Sequence, residues 1–458
     1  MPVTSETVSG ASLDQEPVFG NFFSGVVLTF GTRVLMLAGV FGSGVVIARW
    51  LGADGFGAYA VVNVTVALAL QIGSAGLPSA NTYFIARHRE NVGAVWANAI
   101  AFAMVIGSLL TAGVLALGWL RPSMFGGVST QLLAIAAISI PFQLLFILNL
   151  NVLLALDRIR QLNLFDGLLP ALVLVNALVG LVLLHRQLTF LIALNTIVGT
   201  ALSLVLMIYL RRVIAEKTTS RARRPDGQLL KTMLAYGIKF YVSIMAGTII
   251  LRADLLIVNR FRGAAEAGVY GIASQFSFLL LMLPGVIATL LFPRVAATHD
   301  DRGEFAVLVT RHTTLVMLMT CLGAIALAYL LPFIYGANFA DATFQLLILL
   351  PGIFLMGLES VLVQHFTGTG LPAAIPWFWV ITVVFNIGLN LLVVPKFGAR
   401  GAAVNSTLSY ALIFFLVAVY FRMKTGRGAA ETFILRVHEL RRLLKLQPVK
   451  SLPSKAAS

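Results

Sequence analysis

Charge is scarce in this sequence. Only 11% of its 458 residues are Asp, Glu, Lys or Arg, against roughly 25% in a soluble domain, whose surface must face water. That shortage excludes a chain that is soluble throughout. Cysteine is scarcer still: Cys321 stands alone, so no disulfide framework can form within the chain. His185, His299 and His312 fall in or near loops, and no group of residues has metal-ligand spacing. Neither a metal nor any other cofactor is expected. Walker, GxSxG and HExxH motifs are absent as well. Their absence argues against ATP hydrolysis and against a membrane glycosyltransferase, polymerase or ligase, which would also need larger outer loops than these. No soluble domain is left in which a nucleic-acid site could sit, so nucleic acid is not an expected partner.

Apolar residues are abundant. They make up 59% of the chain, and mean hydropathy is +0.93. Nothing between Pro122 and Leu156, or between Thr313 and Ala340, is charged. A bilayer-spanning helix needs about 20 mainly apolar residues, and the alternating segments of a β-barrel are missing. The expectation is an all-α polytopic membrane protein in contact with membrane lipids. Its spans fall near 22–50, 57–86, 94–120, 129–154, 163–184, 188–210, 232–259, 267–293, 306–331, 342–367, 372–395 and 401–421. That is about twelve transmembrane helices. Most of the 33 Lys and Arg residues lie in loops after even-numbered spans or in the C-terminal tail. The positive-inside rule then places both termini in the cytoplasm, and the net charge of +15 mostly reflects topology and anionic lipid. The first 20 residues are polar and acidic, lack Lys and Arg, and do not read as a cleavable signal peptide.

One stretch is written twice. RWLGADGFGAY (49–59) and RFRGAAEAGVY (260–270) stand 211 residues apart, and Arg49, Gly52, Ala53, Gly57 and Tyr59 match Arg260, Gly263, Ala264, Gly268 and Tyr270. Each copy closes the first long span of a half. Six spans separate them, so both corners leave the membrane on one side, which predicts two six-helix lobes related by a parallel repeat. The expected divisions are a polar tail (1–20), an N-terminal lobe (21–211), a basic loop (212–231), a C-terminal lobe (232–422) and a basic tail (423–458). Within that tail, ETFILRVHELRRLLKL (431–446) carries one apolar and one basic face, as an interfacial amphipathic helix does.

The turns YGANFADAT (335–343) and FGARGAAVNS (397–406) complete a pattern. With ARWLGADGFGAY, RADLLIVNRFRGAAEAGVYG, YGANFADATFQLLILLPG and NIGLNLLVVPKFGARGAAVNS, the chain resembles the Wzx-type polysaccharide-exporting flippases. These belong to the multidrug/oligosaccharidyl-lipid/polysaccharide exporter superfamily. The resemblance implies two lobes that alternately open a central cavity. It also implies movement of an undecaprenyl-diphosphate-linked oligosaccharide from the inner to the outer leaflet, with polysaccharide polymerase and export machinery as partners. Lipid II flippases and multidrug or cation antiporters of the superfamily are the alternatives. The former usually carry two further spans, and the latter would need an acid where span one offers Arg33.

Ionisable residues inside spans mark functional candidates, because each costs several kcal/mol without a partner. Arg33 stands alone in the middle of span one, about 24 Å along the helix from Arg49. Arg33, Lys239 and Arg252 are candidate ligands of a diphosphate, since a guanidinium fork can pair two phosphate oxygens. The alternatives are a structural ion pair for Arg33, snorkelling for Lys239 and an outer latch for Arg252. Lys239, Ser243, Gly247 and Asp254 share one stripe of span seven, whereas Arg252 points elsewhere. Glu359 is the first candidate for proton or sodium coupling and Asp254 the second; a permanently protonated carboxyl bonded to neighbouring polar groups is the alternative for Glu359. Asn386 and Asn390, four apart on span eleven, are placed either to meet sugar hydroxyls or to tie helix to helix.

Overall fold

The computed structural model describes residues 16–215, 224–298, 303–370 and 372–434. Side chains are described for all of these except 16–30, 33–34, 239–240, 289–290 and 292–298. No strand occurs among the described residues. The helices are α1 (Glu16–Ser74), α2 (Leu77–Arg87), α3 (Val92–Leu120), α4 (Thr130–Ala137), α5 (Ile140–Ala155), α6 (Ile159–Ala177) and α7 (Leu188–Ala215). They continue with α8 (Gly227–Arg262), α9 (Ala264–Thr298), α10 (Glu304–Tyr335), α11 (Asp341–Gly368), α12 (Ala374–Thr425) and α13 (Ala429–Phe433).

Ten segments among the described residues are long and apolar enough to cross a membrane. Two of them hold a sharp glycine bend, at Gly52 in α1 and Gly398 in α12, and split there the ten become twelve. The expected spans 22–50 and 372–395 thus each end at a glycine bend where the next helix begins, and the expected span 57–86 is interrupted after Ser74, with α2 starting at Leu77. A single left-handed residue turns the chain: Gly52 has φ 67° and ψ −171°, a region that a side chain makes costly. Large apolar side chains such as Leu109, Leu392 and Phe333 are exposed along the helices, and Trp119 near the end of α3 is 81% exposed. Lipid, not water, suits such a surface. The chain is an all-α, multi-pass membrane protein.

The helices group into two compact units, and these do not follow the halves of the sequence. Unit 1 comprises residues 1–46, 76–111 and 138–237. In it α5 packs on α2 and α7, and α6 on α7. Gly76 and Gly237 bring α2 and α8 to backbone contact, where a Cβ on Gly76 would lie 2.4 Å from the Gly237 carbonyl oxygen. The expected loop 212–231 is shorter than its composition suggests, because α7 runs to Ala215 and α8 begins at Gly227. Asp226 explains that start: its carboxylate accepts the N–H groups of Gln228 (2.9 Å) and Leu229 (3.1 Å), as a helix cap does. Asp226 is also clamped to α3 by two bonds between its backbone and the Asn98 amide.

Unit 2 comprises residues 47–75, 112–137 and 238–458. Its centre is α11, which packs against α9, α10 and α12. Leu346, Leu349, Ile353 and Leu362 are buried along it. The repeated corners also meet here. A Cβ on Gly57 would stand 1.7 Å from the carbonyl oxygen of Ala264, and one on Gly268 would stand 2.4 Å from that of Ala53. The four residues are the two copies of one Ala-x-x-x-Gly spacing, and small residues at such a crossing let backbones touch. Arg49 donates to the carbonyls of Phe333 and of Ile334, the latter at 2.7 Å. Arg260 donates to the Ser123 hydroxyl at 3.2 Å. Ser123 and Ile334 are themselves 211 residues apart, so both arginines reach equivalent places. These contacts explain why residues 47–75 and 112–137 fold with the second half.

The expected amphipathic helix over 431–446 lies almost wholly outside the described residues, which end at Ile434.

Candidate functional site

A buried carboxylate needs donors, because burying it bare costs far more than any single bond returns. Asp254 on α8 is 2% exposed. Its Oδ1 accepts the Asn390 amide at 2.6 Å. Its Oδ2 accepts the Tyr270 hydroxyl at 3.1 Å and that of Ser406. The donors come from α9 and from both sides of the Gly398 bend in α12. Asn386 continues the network, donating to the Ser409 hydroxyl at 3.1 Å, while its backbone carbonyl accepts the Asn405 amide at 2.8 Å. All of these side chains are buried, and none that touches Asp254 is a cation.

The structure therefore brings three of the sequence candidates together: Asp254, Asn386 and Asn390. The two amides share a face, as their spacing implies. That face is spent on Asp254 and α12 itself, in the manner of helix-to-helix bonding. The stripe of Ser243, Gly247 and Asp254 also looks toward α12, since a Cβ on Gly247 would sit 3.4 Å from Trp379. Arg252 does not join. Its guanidinium carbon lies 4.9 Å from the ring centre of Phe278 on α9, as residues two apart on a helix face different neighbours.

Glu359 lies on α11, 2% exposed, and its Oε1 has no hydrogen-bond partner. Ser360 beside it turns back to the carbonyl of Gly357 at 2.8 Å. His365, six residues further along α11, is packed by the rings of Phe366 and Phe421. No described hydrogen bond joins Glu359 to Asp254. Arg33 and Lys239 sit on the helical backbone of α1 and α8, and their side chains lie outside the described residues.

Sequence reasoning missed one recess. In unit 1 a cavity of about 700 Å³ is lined by Ser79, Thr82, Tyr83 and Arg87 of α2, Asn151 of α5 and Tyr236 of α8. The rings of Tyr83 and Tyr236 stack with centroids 4.4 Å apart and planes 16° from parallel. Arg87 donates to the Tyr83 hydroxyl at 2.8 Å. The signal available in sequence was Tyr83 and Arg87 four apart, on one helix face, at the end of a span. Among the lining residues there is one cation and no carboxylate, so the recess offers an anion a guanidinium and offers a cation no counter-charge.

Comparison with known proteins places the chain in a family. The family model described as "Polysaccharide biosynthesis protein" matches residues 46–343, well over half of the chain. The chain is 27% identical over 376 residues to the succinoglycan biosynthesis transport protein ExoT of Rhizobium meliloti, covering 79% of this chain and 73% of that protein. It is 22% identical over 210 residues to the probable low-salt glycan biosynthesis flippase Agl15 of Haloferax volcanii. That match spans less than half of either protein, 44% of each. Two solved structures share the fold. One is an inward-facing multidrug resistance MATE family transporter of the MOP superfamily (TM-score 0.73, 17% identity, 87% of this chain and 98% of that one). The other is the lipid II flippase MurJ in an inward closed conformation (TM-score 0.72, 16% identity, 87% of both chains). With the family model matched across its duplicated corners and into α11, this chain belongs to the polysaccharide biosynthesis protein family.

Proposed function

We propose that this protein is a flippase. It carries an undecaprenyl-diphosphate-linked oligosaccharide from the inner to the outer leaflet of the cytoplasmic membrane, by alternating access, with both termini in the cytoplasm. The observation that carries the reading is the recess of unit 1, where Arg87 stands beside the stacked pair Tyr83 and Tyr236 with no acid among the lining residues. A guanidinium can fork across phosphate oxygens. Tyrosine faces stack on sugar rings, and the hydroxyls of Ser79 and Thr82 can exchange hydrogen bonds with sugar hydroxyls. A cationic drug would find no counter-charge there. Arg33, Lys239 and Arg252 are the further cations assigned to the diphosphate. Glu359, with its unpartnered oxygen, is the first candidate for proton or sodium coupling and Asp254 the second. The polymerase that consumes the delivered unit is the expected partner.

The test is transport by the full chain in proteoliposomes. A fluorescent undecaprenyl-diphosphate-linked oligosaccharide is followed by quenching from outside, with lipid II and the cationic dye ethidium as parallel substrates. The wild type is expected to move the oligosaccharide and not ethidium. Arg87→Ala and Arg33→Ala are expected to lose most of that movement, Arg33→Lys to keep part, and Arg33→Glu to be worst, all at normal membrane levels. Movement of ethidium without the oligosaccharide overturns the reading. Preference for lipid II replaces it with the peptidoglycan-precursor reading.

A further inference from the structure

A second polar cavity lies in unit 2, at the ends of the helices where the glycine corners cluster. Its volume is about 390 Å³, within the range of small-ligand sites. Arg262 and Glu266 line it from the α8–α9 corner, Asp341 and Gln345 from the start of α11, and Phe397 and Arg400 from the bend of α12. Its charges are balanced and already paired. Arg262 holds Glu266 at 2.9 Å, and Arg400 holds Asp341 at 2.9 Å. Glu266 is fixed further by the Ala399 N–H at 2.7 Å, at the start of the helix that follows the bend.

Gln345 is the unusual member. It is 2% exposed, lines the cavity, and its amide oxygen has no hydrogen-bond partner. A buried carbonyl oxygen left without a donor is costly, so such an atom points to a ligand that brings one. The ligand's class follows from the rest of the lining. Each arginine already carries a carboxylate that offsets its charge, and each carboxylate a guanidinium, which weakens the site for a phosphate and for a cation alike. A neutral polyhydroxyl ligand suits both pairs, because adjacent hydroxyls can give to the carboxylate and take from the guanidinium together. Phe397 is exposed at the rim and offers a ring face for the C–H face of a sugar.

We infer that this corner cavity is a saccharide-binding subsite, with Gln345 accepting a sugar hydroxyl and the pairs Arg262–Glu266 and Arg400–Asp341 reading its neighbours. On the flippase reading, on which the sugar's origin rests, the corners face outward and the subsite receives the glycan as it emerges. The geometry of the cavity does not depend on that reading.

The experiment uses the full chain in lipid nanodiscs and free methyl β-glucoside, methyl β-galactoside, methyl α-mannoside and N-acetylglucosamine at millimolar concentration. Binding is read by saturation-transfer NMR. Transfer to at least one probe is expected. It should fall about tenfold in Gln345→Leu, the factor that one well-made hydrogen bond supplies, and fall likewise in Arg400→Ala at the exposed rim. Unfolding temperatures of both variants show that the fold is kept. Inorganic phosphate should leave the signal unchanged. No transfer to any probe, full transfer in Gln345→Leu with the fold kept, or displacement by phosphate overturns the inference. The same preparations enter the flipping assay. Flipping without sugar binding removes the subsite and leaves the transport reading standing. Sugar binding that Gln345→Leu abolishes, in a protein that flips nothing, does the reverse.

Discussion

Asp254 and Glu359 are equally buried carboxyl groups in one compact unit, and their surroundings are opposite. Asp254 holds three donors from two other helices, each with its proton aimed at a carboxylate oxygen. Glu359 has an oxygen that nothing touches with a hydrogen bond. The first arrangement ties α8, α9 and α12 together, and removing the acid would take from Asn390, Tyr270 and Ser406 the acceptor they share, leaving them only their bonds to Asn386, to each other and to the Ala402 carbonyl. The second ties nothing through that oxygen, which stays available to an ion or a proton. Burial alone would have ranked the two alike. The inventory of donors separates a fastening from a free acceptor, since an unmade bond costs more than a made one returns.

Three measurements press on this contrast. The largest effect is expected from Asp254→Ala, which leaves Asn390, Tyr270 and Ser406 without their acceptor. Purified protein should lose about 3 kcal/mol or more of stability, seen as a lower unfolding temperature and a poorly dispersed gel-filtration profile. A variant as stable as wild type would show that the network is incidental. A smaller loss is expected from Tyr270→Phe, which removes one of two hydroxyls on Oδ2 and leaves the other. About 1–2 kcal/mol is at stake, and a loss equal to that of Asp254→Ala would place the weight of the network on Tyr270 instead. The smallest effect on stability belongs to Glu359→Gln, which is expected to unfold within about 0.5 kcal/mol of wild type. In vesicles with an imposed proton or sodium gradient, the same variant should lose the gradient's acceleration of transport. An unchanged response would remove Glu359 from coupling and move Asp254 to first place.

The sequence carried the fold further than the site. Scarce charge and long apolar runs made a multi-pass helical chain evident, and the rhyme of 49–59 with 260–270 marked two corners that do meet. It could not show how tight those corners are: at Gly52 and at Gly398 a single residue with positive φ separates one helix from the next. For the site, spacing alone put Asn386 beside Asn390 and turned Arg252 away from Asp254. The acceptor of those amides lies 136 residues away from Asn390, beyond the reach of any helical periodicity. Tyr83 and Tyr236 were invisible for the same reason: their stacking is a fact of the fold, written in neither helix by itself. The unpartnered oxygen of Gln345 likewise depends on neighbours from other elements, which its own helix does not name.

The crossing at Gly57 and Gly268 has a consequence for how such a chain changes over generations. Each glycine makes room for the backbone of the other copy, so neither site can drift while the other stays still. A methyl group gained at Gly57 presses on the Ala264 carbonyl and the Gly268 nitrogen, and one gained at Gly268 presses on the Ala53 carbonyl and the Gly57 backbone. The two positions thus behave as one locus carried in two places, and a compensating change for either is to be sought at Ala53, Ala264 or the opposite glycine. The two copies of the spacing touch at their corner, and that closeness keeps both of them small.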